Sequence, residues 1–255
     1  MKSVQPENLM ELYGSLAWCY DLISTGDDHE TEAEFVRSVV QTHKRSDGNR
    51  LLDVCCGHGW HDHFLKQEFE IVGVDLNETV LEIARKRNPE VKYVTGDVRD
   101  FELDEEFDVV LCFDALEHLL TYEELKSSLG CLQNHLADDG VLMFHLDRLK
   151  EAFGRFRIAN SGQHSRGTTH VAYIDLEYDT DPDDSVAEGC IVFLIKEEGK
   201  DLEVRLLEAE TGLFELAEIL KILDDLDLKT SLFSGDFHGG EYTEGSPFPV
   251  FVCVR

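Results

Sequence analysis

Between residues 51 and 145, short apolar runs alternate with stretches whose apolar residues recur at helical spacing. Leu51–Val54, Ile71–Asp75, Val91–Val94, Phe107–Cys112 and Gly140–His145 read as buried strands. Val80, Leu81, Ile83 and Ala84, then Leu125, Leu129, Leu132 and Leu136, mark the apolar faces of helices between them. Strands alternating with helices imply a parallel, doubly wound sheet that takes its ligand at the carboxyl ends of its strands. Beyond residue 147 the pattern changes. Thr168–Tyr178, Ala187–Ile195 and Leu202–Glu208 look like three antiparallel strands, separated by turn-rich segments at 179–185 and 197–201. Leu213–Leu226 then predicts a helix, and Lys229–Phe233 and Phe248–Val254 a sixth and seventh strand of the main sheet. The predicted fold class is α/β: a doubly wound, mostly parallel seven-stranded sheet with a small antiparallel β lid inserted after strand five.

The first strand runs into Cys55-Cys56-Gly57-His58-Gly59, a turn with glycines two apart. A dinucleotide site wants a third glycine three residues on, and Asp62 stands there, a poor neighbour for a pyrophosphate. No Gly-Lys-Ser or Gly-Lys-Thr closes the turn, so a P-loop fails as well. The remaining candidate is a nucleoside without phosphates. Asp75 ends the second strand, 22 residues after Asp53, where an acid can accept hydrogen bonds from both ribose hydroxyls. Gly96-Asp97-Val98 follows the third strand and offers a carboxylate to an adenine amino group and an apolar side chain to its ring.

These residues resemble the class I S-adenosylmethionine-dependent methyltransferases, whose first motif reads Leu-Asp-x-Gly-Cys-Gly-x-Gly. Leu52–Gly59 matches it with one departure: Cys55 stands at the first glycine, which a negative φ there would tolerate. The resemblance covers roughly residues 10–147. It implies S-adenosylmethionine as cofactor, with S-adenosylhomocysteine as product, on a Rossmann-like core. It places cofactor binding on Asp53, Cys55, Gly57, Gly59, Asp75, Leu76, Asp97, Val98, Cys112 and Tyr20. A β lid after strand five, with Tyr13 and Tyr20-Asp21-Leu22-Ile23 near the start, is similar in layout to the N,N-dimethyltransferases of nucleotide-linked amino sugars and to the glycine-type N-methyltransferases.

A chain of 255 residues suits one domain with an insert: N-terminal helices at 1–48, a cofactor core at 49–147, a substrate lid at 148–210, and the last helix and strands at 211–255. No long apolar run or leader-like start is visible, which predicts a cytoplasmic protein. Seven scattered cysteines fit reduced core thiols, and Cys55-Cys56 without a second cysteine pair predicts no metal. The 53 acidic against 23 basic residues give a net charge of −30, which opposes nucleic-acid binding. Acids spread along the whole chain predict a surface adapted to high salt, as in halophiles, or one that meets a basic partner.

One local reversal breaks that pattern. Arg148, Lys150, Arg155, Arg157 and Arg166 follow strand five, on a helix whose basic side pairs with nearby acids or holds a small anionic substrate. Arg148, Arg155, Arg157 and Tyr13 are the candidate substrate contacts. Methyl transfer to an amine or hydroxyl needs alignment and removal of a proton, and the candidate catalytic bases are His118, after strand four, and His145, at the end of strand five. His58 and His61 flank the first motif, covering the cofactor or facing solvent. The expected activity is methyl transfer to a small-molecule acceptor by a monomer or homodimer that binds no membrane. A non-enzymatic regulatory binder and an NAD-dependent oxidoreductase are the alternatives.

Overall fold

The computed structural model describes residues 5–24, 26–243 and 245–255. Residues 1–4, part of the start on which the expectation of no leader rests, lie outside the described residues. The elements run β1 Glu7–Asn8, α1 Ala17–Ile23, α2 Gly26–His43, β2 Arg50–Val54, α3 Trp60–Leu65, β3 Glu70–Asp75, α4 Glu78–Arg87, β4 Lys92–Thr95, β5 Phe107–Cys112 and α5 Tyr122–Asn134. They continue with β6 Leu136–His145, β7 Phe156–Arg166, β8 Thr169–Tyr178, β9 Val186–Glu197, β10 Glu203–Gly212, α6 Leu216–Asp225, β11 Lys229–Ser234 and β12 Pro249–Val254.

The main sheet has the order β11-β12-β6-β5-β2-β3-β4, parallel from β6 to β4, with β12 antiparallel to both β6 and β11. Its central strands are buried on both faces, which is why they read as unbroken apolar runs. Leu51, Val109, Leu111, Val141 and Met143 pack against Phe35, Val36 and Val39 of α2 on one face. Leu52, Val110, Leu142 and Phe144 pack against Leu129 of α5 and Ile219 and Leu223 of α6 on the other. Each such fully buried Leu or Phe contributes about 1.5–3 kcal/mol of transfer free energy.

A second sheet, β1-β10-β9-β8-β7, forms the lid. Where the sequence predicted three strands there are five. The stretch read as a basic helix is β7, paired along its length with β8 from Phe156↔Tyr178 to Arg166↔Thr169. Most of its residues are exposed, so no apolar alternation marks it and the backbone ladder alone defines it. The N-terminal segment is not only helical, because β1 pairs parallel with β10. Leu12, Leu16 and Cys19 then pack under Val171, Phe193, Ile195 and Leu207 of the lid. The N-terminal segment is thus fixed beneath the lid, which carries Tyr13 and Tyr20 to the carboxyl ends of β2 and β3. Asp21 ties the layers together, accepting from Arg87 of α4 (2.5 Å) and from Arg166 of β7 (2.9 Å).

Candidate active site

A cavity of about 320 Å³ opens at those carboxyl ends. Asp75 forms its floor. One carboxylate oxygen accepts from the Gly57 amide (2.9 Å) and the other from the Asn77 amide (2.8 Å), which ties the β2 turn to the end of β3. Burial raises the Asp75 pKa, and these amide hydrogen bonds oppose it. Gly57 has φ +51°, and a Cβ there would meet no protein atom within 4 Å, because the direction it would take is the cavity. Gly59 is required for a different reason. At φ +67° it starts α3, and a Cβ would lie 2.6 Å from the Tyr93 hydroxyl and 2.8 Å from Asn88 Nδ2.

Cys55 has φ +60°, so the negative φ expected there is not adopted. The turn keeps the left-handed conformation that a glycine would take freely, and the cysteine carries its strain. Asp62 does not face the ligand space. It is fully buried and accepts from the Tyr93 hydroxyl at 2.6 Å.

The cavity brings together Tyr13, Tyr20, Cys55, Gly57, Asp75, Leu76, Asp97, Val98 and His118 of the predicted site residues. Asp97 is also held by its neighbour Arg99, whose guanidinium reaches both oxygens at 2.9 and 2.6 Å and lowers its pKa. Asp53, Gly59 and Cys112 do not line the cavity. Asp53 is buried beside Asp62, and burial and that second carboxylate hold its pKa well up. Cys112 is buried with its thiol against that of Cys55.

At the far wall the Tyr13 hydroxyl lies 2.8 Å from His118 Nε2. Burial raises the Tyr13 pKa well above its ordinary value and lowers that of His118, so near neutral pH the pair is an uncharged phenol and an uncharged imidazole. His58, expected to cover the cofactor or face solvent, is buried among the lining residues against Tyr20, and burial takes its pKa to about 4.

His145 is placed otherwise than its position at a strand end suggested. Its ring is 1% exposed, packed among Phe113, Phe237 and Phe248, and does not line the cavity. It sits between Asp114 and Asp147, each 3.4 Å from one ring nitrogen. Burial alone would depress its pKa, but the two carboxylates carry it to about 9. Glu117 is buried nearby, and burial together with Asp147 and Asp114 raises it to about 8.

The arginines are elsewhere. Arg148 is buried against Glu177 and Arg157 donates to the same carboxylate at 2.6 Å, while Arg155 is exposed. None of the three lines the cavity. His29, Trp60, Phe113, Asp114 and Arg99 also line it and carry no separate signal in the sequence. Asp114, with φ +51° just beyond β5, was legible only as a polar residue at a strand end.

Residues 51–140 match the family described as a methyltransferase domain. The chain is 35% identical over 160 residues to the dTDP-3-amino-3,6-dideoxy-alpha-D-glucopyranose N,N-dimethyltransferase of Streptomyces fradiae, covering 61% of this chain and 62% of that one. It is 37% identical over 128 residues to the dTDP-3-amino-3,4,6-trideoxy-alpha-D-glucopyranose N,N-dimethyltransferase of Streptomyces venezuelae, covering 49% and 54%. The matched region thus spans between half and two thirds of these curated relatives. Among solved structures, the sugar N-methyltransferase KedS8 from Streptoalloteichus superposes with a TM-score of 0.81 at 23% identity, covering 100% of this chain and 97% of that one. DesVI of Streptomyces venezuelae gives 0.79 at 24%, covering 98% and 100%. These two likenesses establish that the fold, lid included, is shared.

Proposed function

We propose, for a chain whose residues 51–140 belong to the methyltransferase-domain family, that it transfers methyl groups from S-adenosylmethionine to the amine of a small molecule, an amino sugar carried on a nucleotide. The observation that carries this reading is the Tyr13–His118 pair, an uncharged phenol and imidazole in contact at the wall of the cavity that also presents Asp75, Asp97 and Val98. The residues fit the cofactor. Asp75 offers its remaining lone pairs to a diol, Asp97 and Val98 offer an acceptor and an apolar contact to a purine, and Gly57 leaves open the space that a side chain would fill. When bound, S-adenosylmethionine supplies an electrophilic methyl on a positively charged sulfur.

The chain's own residues do the rest. Asp75 and Asp114 place carboxylates on the cavity wall, which favours the positively charged sulfur of the cofactor and an amine at the reacting end of the acceptor. The arginines read as substrate contacts lie outside the cavity lining, Arg148 and Arg157 both paired with the one carboxylate of Glu177. Tyr13 and His118 accept the proton that the acceptor nitrogen must give up, with the phenol oxygen toward the acceptor and the imidazole as the group that becomes charged. The lid over the N-terminal segment excludes water. The 53 acidic against 23 basic residues support a protein that works at raised salt. Incubation with labelled S-adenosylmethionine and a nucleotide-linked amino sugar tests the reading: label on nitrogen is expected, and binding of NAD in place of the sulfur nucleosides would overturn it.

A further inference from the structure

Three side chains that the proposed transfer does not use converge at one point of the cavity wall. His29 and Glu32 lie one turn apart on α2, and His61 is the second residue of α3. Glu32 Oε2 is 2.6 Å from His61 Nε2 and 3.0 Å from His29 Nδ1, and the two ring nitrogens are 3.4 Å apart. The side chains are only 16% (His29), 12% (Glu32) and 9% (His61) exposed. Donors bound tetrahedrally at about 2.0–2.1 Å from an ion lie about 3.3 Å apart, which the two ring nitrogens meet, and Glu32, now hydrogen-bonded to both, would draw back by a few tenths of an ångström to bind beside them.

Two further observations separate the cluster from an ordinary hydrogen-bonded group. The far nitrogen of His29 is 2.9 Å from Ser24 Oγ, and Trp60 stacks on the same ring at an interplanar angle of 12°. A histidine whose second nitrogen is fixed in this way presents the first in a set direction, as metal-binding histidines do. His29, His61, Ser24 and Trp60 also all line the cavity, so a further coordination position at this point would open onto it.

We propose that His29, Glu32 and His61 bind one divalent transition-metal ion of the zinc class, with an open position toward the cavity. Two imidazoles and one carboxylate suit zinc, cobalt or nickel and leave magnesium and calcium, which take oxygen donors, poorly served. The cluster was invisible as a metal motif, because its members are spread over 29–61 without a cysteine pair and only the packing of α2 on α3 unites them.

The test titrates chelator-treated protein with cobalt(II), followed by calorimetry and by the visible absorption of the ion. One ion per chain with micromolar or tighter affinity and a low-symmetry cobalt spectrum are expected, with at least tenfold weaker binding in Glu32→Gln and in His29→Ala. Wild-type protein that gives no such spectrum, or binding that survives unchanged in both variants, overturns the site. The wild-type spectrum decides the matter even if a variant misfolds. S-adenosylhomocysteine is titrated into the same samples, so failure of the metal site and failure of the methyltransferase reading give different results.

Discussion

The Tyr13 hydroxyl meets His118 Nε2 at 2.8 Å across 105 residues of sequence. The contact exists because β1 pins the N-terminal segment to the lid and the short 3-10 turn Leu116–His118 follows directly on β5. Replacing His118 by Ala is expected to lower kcat/KM by about 10²-fold or more, the ordinary contribution of a positioned base. Tyr13→Phe should cost a comparable factor, because the phenol oxygen links the acceptor to the imidazole. Steady-state kinetics on both variants checks this, and unchanged kcat in either would mean that the pair only shapes the cavity.

Asp75 should govern cofactor affinity. A hydrogen bond to a charged group is worth about 1.5–3 kcal/mol, so Asp75→Ala is expected to weaken S-adenosylhomocysteine binding by roughly 10- to 100-fold. Asp75→Asn keeps one acceptor oxygen and should lose less. Calorimetry measures both, and unchanged affinity in Asp75→Ala would remove the residue from the cofactor site.

Gly59→Ala should destabilise the fold by about 2 kcal/mol or more, since its Cβ would press on Tyr93 and Asn88 at a left-handed φ. Cys55→Gly should be tolerated and Cys55→Val should not, because a β-branched residue fits φ +60° worst. Denaturant midpoints read out all three substitutions.

The buried charges fix the pH dependence of stability. Glu117 is raised from 4.5 to about 8 and His145 from 6.5 to about 9. Both groups bind protons more tightly folded than unfolded, so their contribution is complete at the acid end of each interval and is lost as pH rises through it. Stability is expected to fall steadily between pH 5 and 9. Glu117→Gln should flatten the part below pH 8. A wild-type profile that rises over this range would show that Asp114 and Asp147 do not hold His145 protonated.

With a net charge of −30, the chain should gain stability from dilute buffer to molar potassium chloride as self-repulsion is screened. Thermal midpoints across a salt series test this, and a flat series would leave the acids to a basic partner.

The core was legible in the sequence because a doubly wound sheet writes itself as apolar runs that end in functional residues. Asp75, Gly57 and Asp97 could be placed from strand ends alone. β7 could not, since its exposed residues give no alternation and the segment with Arg157 reads as a basic helix, and the pairing of Arg148 and Arg157 with Glu177 depends on a residue 29 and 20 positions away. His145 shows the matching limit for side chains. Its strand end is at the ligand edge, yet the ring turns away to lie between Asp114 and Asp147, a choice made by partners far apart in sequence.

Parallel calorimetric titrations with S-adenosylhomocysteine and NAD, followed by transfer from labelled S-adenosylmethionine to a nucleotide-linked amino sugar, bear on the function most directly. Binding of the sulfur nucleoside alone, with one or two methyl groups appearing on the sugar nitrogen, is the expected result. Binding of NAD, or a nucleoside complex that methylates no amine, would contradict it.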